Sequence, residues 1–250
     1  MIELVDVHKA FGPREILRGL SLEIPKGRNT VIIGYSGTGK SVLLKCIIGL
    51  LKPDSGEVRV DGAVVGTMDA DELAALRGKV GYVFQSAALF DSMTVNENIA
   101  LGLRRRQLPP DEIDRRIEES LAVVDLSDAG EKRPSELSGG MRKRVGVARA
   151  IALRPDYVLY DEPTTGLDPV TSAVMDQLMM RTRDLGVTGV IVTHDMRTAF
   201  TVGDRVAMLY EGVIRQVGTG PEMRESSDAV VRQFIEGRPD AALSLRRPEP

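Results

Sequence analysis

Residues 34–41 of the chain read GYSGTGKS, which fits the phosphate-loop pattern G-x-x-x-x-G-K-[S/T]. An apolar run, NTVIIG, leads into the segment and a helical pattern, SVLLKCIIGLL, follows it, as a strand–loop–helix phosphate site requires. Glycines let backbone amides turn toward phosphate oxygens, and the start of the helix adds the positive end of its dipole. The segment therefore predicts a site for nucleotide phosphates.

Four polar side chains are expected to complete this site, two at the end of the loop itself and two at the end of a later apolar strand. Lys40 can reach the β- and γ-phosphates, and the Ser41 hydroxyl can ligate Mg²⁺. The strand YVLYDEP ends in Asp161, the natural Mg²⁺ partner, and Glu162 beside it can polarise a water as general base. The loop residues expected to contact the nucleotide are Gly34, Tyr35, Ser36, Gly37, Thr38, Gly39, Lys40 and Ser41.

Two further side chains end apolar strands and are expected at the same edge of the sheet. His194 ends GVIVTHD, where a contact to the γ-phosphate is favoured over a purely structural role. Gln85 ends VGYVFQ, where its amide can touch the metal or the attacking water. We therefore add Glu162, His194 and Gln85 as catalytic candidates, and Ser41, Gln85 and Asp161 as metal candidates.

A second segment, SELSGGMRKRVGVARAIA, also begins like an anion-binding helix start, about a hundred residues after the first. A serine and two glycines precede the cations Arg142, Lys143 and Arg144. We expect these cations to line the exposed face of a helical lobe, with a partner or anion contact as the alternative.

The alternation of short apolar runs with helical patterns predicts an α/β fold. Non-alternating runs at 30–33, 157–160 and 190–192 suit central parallel strands covered on both faces. The early strands and the pair at 205–217 resemble antiparallel hairpins, which indicates a core with a small β lobe. The predicted strands are Ile2–Val7, Leu20–Ile24, Thr30–Ile33, Glu57–Val60, Val80–Phe84, Tyr157–Asp161, Val187–Thr193, Arg205–Tyr210 and Val213–Val217.

The pattern becomes helical between about residues 92 and 154. In DEIDRRIEESLAVVDL, apolar residues at three- to four-residue spacing predict a helix that packs this stripe on its own lobe. The three arginines at 104–106 are interpreted as a solvated loop or helix end, and SDAVVRQFIEG in the tail as one short helix.

Composition limits the class of protein. The chain has 250 residues, 42% of them apolar, which is typical of a globular fold. Its net charge of −3 gives no support to nucleic-acid binding. The single cysteine, Cys46, is expected in the core and fits a reducing compartment, and neither a membrane span nor a secretory signal is visible.

Taken in order, GYSGTGKS, Gln85, LSGGM, YVLYDEP, TTGLD and VTHD resemble the ATP-binding subunits of ABC transporters over almost the whole chain. The resemblance implies an α/β P-loop ABC ATPase with a RecA-like parallel-sheet core, an antiparallel β subdomain and a helical subdomain at about 92–154. It implies an ATPase domain over 1–220, a tail over 221–250, ATP and Mg²⁺ as cofactors, Phe11 stacking on adenine, and Asp168 in the D-loop.

The resemblance also accounts for two phosphate-binding segments in one chain. In such subunits two copies pack head to tail, and Ser138, Gly139 and Gly140 of one copy cover the γ-phosphate held by the other. ATP would then join a symmetric homodimer with two composite sites, which opens again once the γ-phosphate is cleaved.

Within this class, FQSAALFDSMTVNENIA, SELSGGMRKRVGVARAIAL, DEPTTGLDPVTSAVMDQLM and VVRQFIEGRPD are similar to the ATPase subunits of Mla/MCE-type phospholipid transporters. This implies three partners: an integral-membrane permease, an MCE-domain lipid-binding protein and a STAS-domain protein. It also implies a place at the cytoplasmic face of the inner membrane, held through the permease. The ending DAALSLRRPEP departs from the family, so a tail contact with the neighbouring subunit stays open, as do the lipid, the direction and the rate. The alternatives are an import ATPase for another cargo, such as amino acids, and a non-transport regulatory ABC ATPase.

Overall fold

The computed structural model describes residues 1–238, in which two β-sheets are connected and flanked by helices. The strands are β1 Ile2–Phe11, β2 Arg14–Ile24, β3 Asn29–Ile33, β4 Ser55–Val60, β5 Ala63–Val64, β6 Val80–Val83, β7 Tyr157–Asp161, β8 Thr188–Thr193, β9 Arg205–Tyr210 and β10 Val213–Gly218. The helices are α1 Lys40–Ile47, α2 Ala70–Gly78, α3 Val95–Arg105, α4 Pro110–Val123, α5 Gly139–Ile151, α6 Pro169–Asp184, α7 Met196–Val202, α8 Gly220–Arg224 and α9 Ala229–Ile235.

A six-stranded sheet in the order β10-β9-β3-β8-β7-β6 forms the core. All its pairs are parallel except β9 with β10. Every residue of β3 and β8 is buried, which confirms the prediction that these runs are central strands covered on both faces. Parallel strands end at one edge of a sheet, so β3, β7 and β8 deliver the residues that follow them to a common place.

Side chains of β3 alternate between two apolar cores. Val31 and Ile33 pack with the helices beyond one face, whereas Ile32 packs with α1 and the strands of the second sheet on the other. Cys46 lies fully buried in this second core, as predicted, and burial raises the pKa of its thiol to about 11.

The second sheet, β2-β1-β4-β5, is antiparallel and is the expected β lobe. Its first two strands run to a tight turn at Gly12–Pro13, because Phe11 pairs with Arg14, and are longer than predicted. The placement of the 205–217 hairpin was wrong. Its two strands pair antiparallel as expected, but β9 lies parallel beside β3 and extends the core sheet instead of the β lobe.

The helical stretch contains α3, α4 and α5. The predicted stripe of α4 is confirmed, since Ile113, Ile117 and Leu121 are all buried in the first core. Arg104 and Arg105 end α3 exposed, as expected. Arg106 differs, because its half-buried guanidinium donates to the carbonyl of Leu153 beyond α5 and to that of Gly78, which ends α2 just before β6.

The predicted tail helix forms as α9, preceded by the short α8. Phe234 of α9 packs edge-on against Tyr35 of the phosphate loop, with ring centroids 4.7 Å apart. The expected contact of the tail with a neighbouring subunit involves residues up to 250, of which 239–250 lie outside the described part.

Candidate nucleotide site

The phosphate loop lies between β3 and α1, as its sequence context predicted. The loop needs glycine at position 39, where φ is +105° and an added Cβ would lie 2.7 Å from Cγ2 of Ile16. Helix α1 begins directly after this residue, at Lys40, and no acidic side chain occupies its first turn. Its unpaired amides are therefore available for an anion.

The Lys40 side chain is buried inside the loop and hydrogen-bonded to its backbone. Its residue is only 6% exposed, and its ammonium donates to the carbonyls of Gly34 at 2.8 Å and Tyr35 at 3.1 Å. It also lies 3.4 Å from Oε1 of Glu162. A buried ammonium needs such partners, and phosphate oxygens entering the loop can take the place of some of them.

Asp161 ends β7 beside the start of α1. Ser41 donates its hydroxyl to Oδ1 of Asp161 at 2.7 Å, and Tyr82 donates to Oδ2 at 2.9 Å. Burial, together with the Asp161 charge, raises the pKa of the Tyr82 phenol, so this hydroxyl stays a donor. A hydroxyl and a carboxylate in contact are the hard oxygen ligands that Mg²⁺ accepts in combination with phosphates, so these residues fit the proposed metal.

Glu162 occupies a left-handed backbone position, with φ of +51°. Its amide donates to the carbonyl of Val192 on β8, which fixes the residue after the strand ends. Oε2 accepts from the Thr165 hydroxyl at 3.0 Å and lies 2.8 Å from Nδ1 of His194. The structure thus brings together the general-base candidate, His194 and Lys40, although they lie far apart in sequence.

A cleft of about 520 Å³ opens over the loop, within the size range of ligand sites. Gln85, Glu162 and His194 line it, as does Phe11, which is 48% exposed at the end of β1. The residues that line it are Phe11, Arg14, Ile16, Ser36, Gly37, Gly39, Lys40, Ser41, Val42, Gln85, Glu162, Thr165 and His194.

Several residues predicted to bind ATP do not line the cleft of their own chain. The Tyr35 side chain packs against α9 instead of lining the cleft. Ser138 is exposed at the start of α5 and accepts a hydrogen bond from the Met141 amide at 3.2 Å, and neither it nor the two glycines that follow line the cleft. Asp168 caps α6 through the amides of Val170 and Thr171 and also stays outside.

The expectation that the cation run lines an exposed face was wrong for Lys143, which is 7% exposed. Tyr82 and Thr165, whose hydroxyls hold Asp161 and Glu162, had not been singled out from the sequence. Their only sequence signal was position, since each lies within three residues of a predicted site residue.

The fold and the cleft define a P-loop nucleotide-binding protein. A family model described as ABC transporter matches residues 17–165, more than half of the chain. The chain belongs to the ABC transporter family and is its ATP-binding ATPase component.

Relatives with different names are about equally similar. The Arabidopsis thaliana protein TRIGALACTOSYLDIACYLGLYCEROL 3, chloroplastic, is 41% identical over 97% of this chain and 75% of its own length. Methionine import ATP-binding protein MetN 1 of Bacillus cereus is 41% identical over 89% of this chain and 66% of its own. The probable ribonucleotide transport ATP-binding protein mkl of Mycobacterium leprae is 42% identical over 95% and 69%.

Solved structures share the fold. The dimeric post-hydrolysis state of the ATP-binding cassette MJ0796, bound to ADP and Pi, has a TM-score of 0.80 and 34% identity over 88% of this chain and 99% of its own. The cbiO1 protein of Clostridium perfringens, part of the transporter complex cbiONQ, has a TM-score of 0.84 and 28% identity over 93% of each chain. Within residues 1–238, none of the helices combines the length and apolar character that crossing a membrane requires.

Proposed function

We propose that the chain drives a lipid-transporting ABC permease as a homodimer that closes on ATP. The main support for a homodimer is that the two anion-binding segments of one chain are separated. Ser138 begins a helix outside the cleft that is lined by Lys40, Glu162 and His194. A serine that caps a helix start still offers amides to an anion, and a second copy would bring it over the γ-phosphate. The dimeric MJ0796 cassette supports this arrangement.

In the proposed cycle, each cleft binds ATP through the loop amides and Lys40, with Phe11 against the adenine. Ser41, Asp161 and Gln85 would hold Mg²⁺, which supplies charge neutralisation on the phosphates. Glu162 takes the proton of the attacking water, and His194, fixed by Nδ1 against Glu162, presents its other ring nitrogen toward the γ-phosphate. Ser138, Gly139, Gly140 and Asp168 act from the partner copy.

A groove beside Gln85 supports the permease partner. It is formed by β6, α3 and α5, encloses about 440 Å³ and exposes the large apolar side chains Phe84, Phe90 and Leu101 by 40–50%. Exposed apolar side chains gathered in one groove are typical of a docking site. We assign it to a cytoplasmic helix of the permease, which would hold the subunit at the inner face of the inner membrane.

A charge in this groove tests the assignment. Leu101→Asp should abolish co-purification with the permease and leave the ATPase rate of the isolated subunit within about twofold, since Leu101 does not line the nucleotide cleft. Leu50→Asp, at an apolar side chain that is 53% exposed and lies outside both regions, is the matched control. Unchanged co-purification of Leu101→Asp would reject the groove as the permease site.

Lipid cargo is proposed from the segments similar to Mla/MCE-type subunits and from the relative named for a galactolipid. Methionine import is the second candidate, because MetN 1 is equally identical. Identifying what co-purifies with the tagged subunit from membranes distinguishes these two cargo candidates. An MCE-domain protein with bound phospholipid, together with a STAS-domain protein, supports lipid transport, whereas a periplasmic amino-acid-binding protein overturns it.

A further inference from the structure

The three cations that follow the LSGG segment all donate to backbone carbonyls. Arg142 reaches Leu137 at 2.6 Å, and Arg144 reaches Val124 at 3.0 Å, so both stay within the helical lobe. Of the three, only Lys143 donates to acceptors outside that lobe. Its ammonium donates to the carbonyls of Pro163 at 3.0 Å and Thr165 at 2.5 Å.

The Lys143 contact is buried and charged. Burial lowers the pKa of the ammonium, while the nearby Glu162 charge opposes that shift. An ammonium in such a place is retained only with close acceptors, and bonds from a charged donor are stronger than neutral ones. Lys143 therefore holds the 163–165 turn firmly.

This turn directly follows Glu162, the proposed general base. Glu162 precedes it in a left-handed conformation, and the Thr165 hydroxyl returns to Oε2 of Glu162 at 3.0 Å. One residue, Thr165, thus offers its carbonyl to Lys143 and its hydroxyl to Glu162. Moving the ammonium would move the carboxylate through a single intervening residue.

The start of α5 touches the far end of the same segment. A Cβ added at Gly140 would lie 2.3 Å from Cγ2 of Thr171, so α5 and α6 approach as closely as only glycine allows. Thr171 in turn donates to Asp168 at 2.5 Å. Helix α5 is therefore fixed to both ends of the segment that runs from Glu162 to α6.

We propose that Lys143 is a positioning residue that couples the two ATP sites of the dimer. The coupling rests on the proposed homodimer, in which Ser138 acts on the partner's ATP while Glu162 acts on the ATP of its own chain. Both lie at the ends of one connected unit, Ser138 at the start of α5 and Glu162 beyond the Lys143 contact. Closure of α5 over the partner's γ-phosphate thereby sets the orientation of Glu162 in its own cleft.

Lys143→Met tests the contact, and Arg144→Met is the matched control, because it removes one neighbouring charge whose bonds stay in the helical lobe. We expect Lys143→Met to bind ATP with unchanged affinity and KM, since Lys143 does not line the cleft. Its kcat should fall about 10- to 100-fold, the loss expected for bonds from a charged donor. Arg144→Met should keep kcat within about twofold. Equal kcat in the two variants would overturn the proposal.

A double variant separates positioning from general damage. If Lys143 acts through Glu162, then adding Lys143→Met to Glu162→Gln lowers the residual rate no further. If the double variant instead shows the product of the two single-variant losses in kcat, Lys143 does not act through Glu162. Lys143→Gln, which keeps an amide donor, should recover part of kcat and serves if the methionine variant does not fold. If wild-type protein forms no ATP-dependent dimer, the proposed function fails, and the double variant still decides whether Lys143 positions Glu162 within one chain.

Discussion

Replacing Glu162 by glutamine isolates the charge of the proposed general base. The side chain is 13% exposed and contacts Lys40, Thr165 and His194. Glutamine keeps its length and can still accept from the Thr165 hydroxyl, so the turn should keep its shape. The carboxylate that would take a proton from water, however, is lost.

Two magnitudes follow from these contacts. General-base catalysis contributes about 10²- to 10⁴-fold, so turnover at saturating Mg-ATP should fall by that factor. Lys40 loses its carboxylate neighbour but keeps two carbonyl acceptors, which limits the loss in unfolding free energy to about 1–2 kcal/mol. For a chain of this size, that lowers the Tm by about 2–8 °C.

Phosphate release measures turnover, a fluorescent ATP analogue measures affinity, and light scattering after gel filtration measures dimer formation. We expect undiminished ATP affinity and accumulation of an ATP-bound dimer. Glu225→Gln, at an exposed glutamate beyond α8, is the control for loss of one carboxylate. Near-normal turnover by Glu162→Gln would show that Glu162 is not the base.

Three more changes have defined outcomes. Ser138→Arg should abolish the ATP-dependent dimer seen by light scattering while the isolated subunit still binds ATP, and a persisting dimer would contradict the cross-subunit role. Tyr82→Phe removes the hydroxyl 2.9 Å from Asp161 and should raise the Mg²⁺ concentration for half-maximal ATPase about 5- to 10-fold; an unchanged Mg²⁺ titration would mean that the bond does not position Asp161. Burial raises the pKa of Asp176, which Thr198 and Arg197 contact, so its ionisation costs stability above its unfolded-state pKa of about 3.9. The Tm of Asp176→Asn should therefore exceed that of wild type near neutral pH, and this gain should shrink as pH falls toward about 4; a pH-independent difference would refute the assignment.

The position of the phosphate loop between a strand and a helix could be predicted because it is encoded in contiguous residues. A strand, a glycine turn and a helix start follow one another, so the places of Lys40 and Ser41 depend on local geometry alone. Asp161, Glu162 and His194 were predictable for a related reason, since parallel strands end at one edge of the sheet. The buried strands β3 and β8 were equally readable from their uninterrupted apolar runs.

Only the tertiary structure decided which sheet the β9–β10 hairpin joins and which side chains hydrogen-bond to the site residues. The hairpin β9–β10 has the same local pattern in either sheet, and its pairing with β3 depends on residues more than 170 positions away. Tyr82 meets Asp161 across 79 positions, which no local spacing records.

Lys143 shows most clearly what could not be predicted from the sequence. Its acceptors are the carbonyls of Pro163 and Thr165, and a carbonyl is the same chemical group at every residue. The run of three cations therefore indicated charge, but the sequence by itself contained nothing to distinguish the buried lysine from its two arginine neighbours. The packing of α5 on the turn after Glu162 made that distinction, because it placed one ammonium against the backbone carbonyls beside the proposed base.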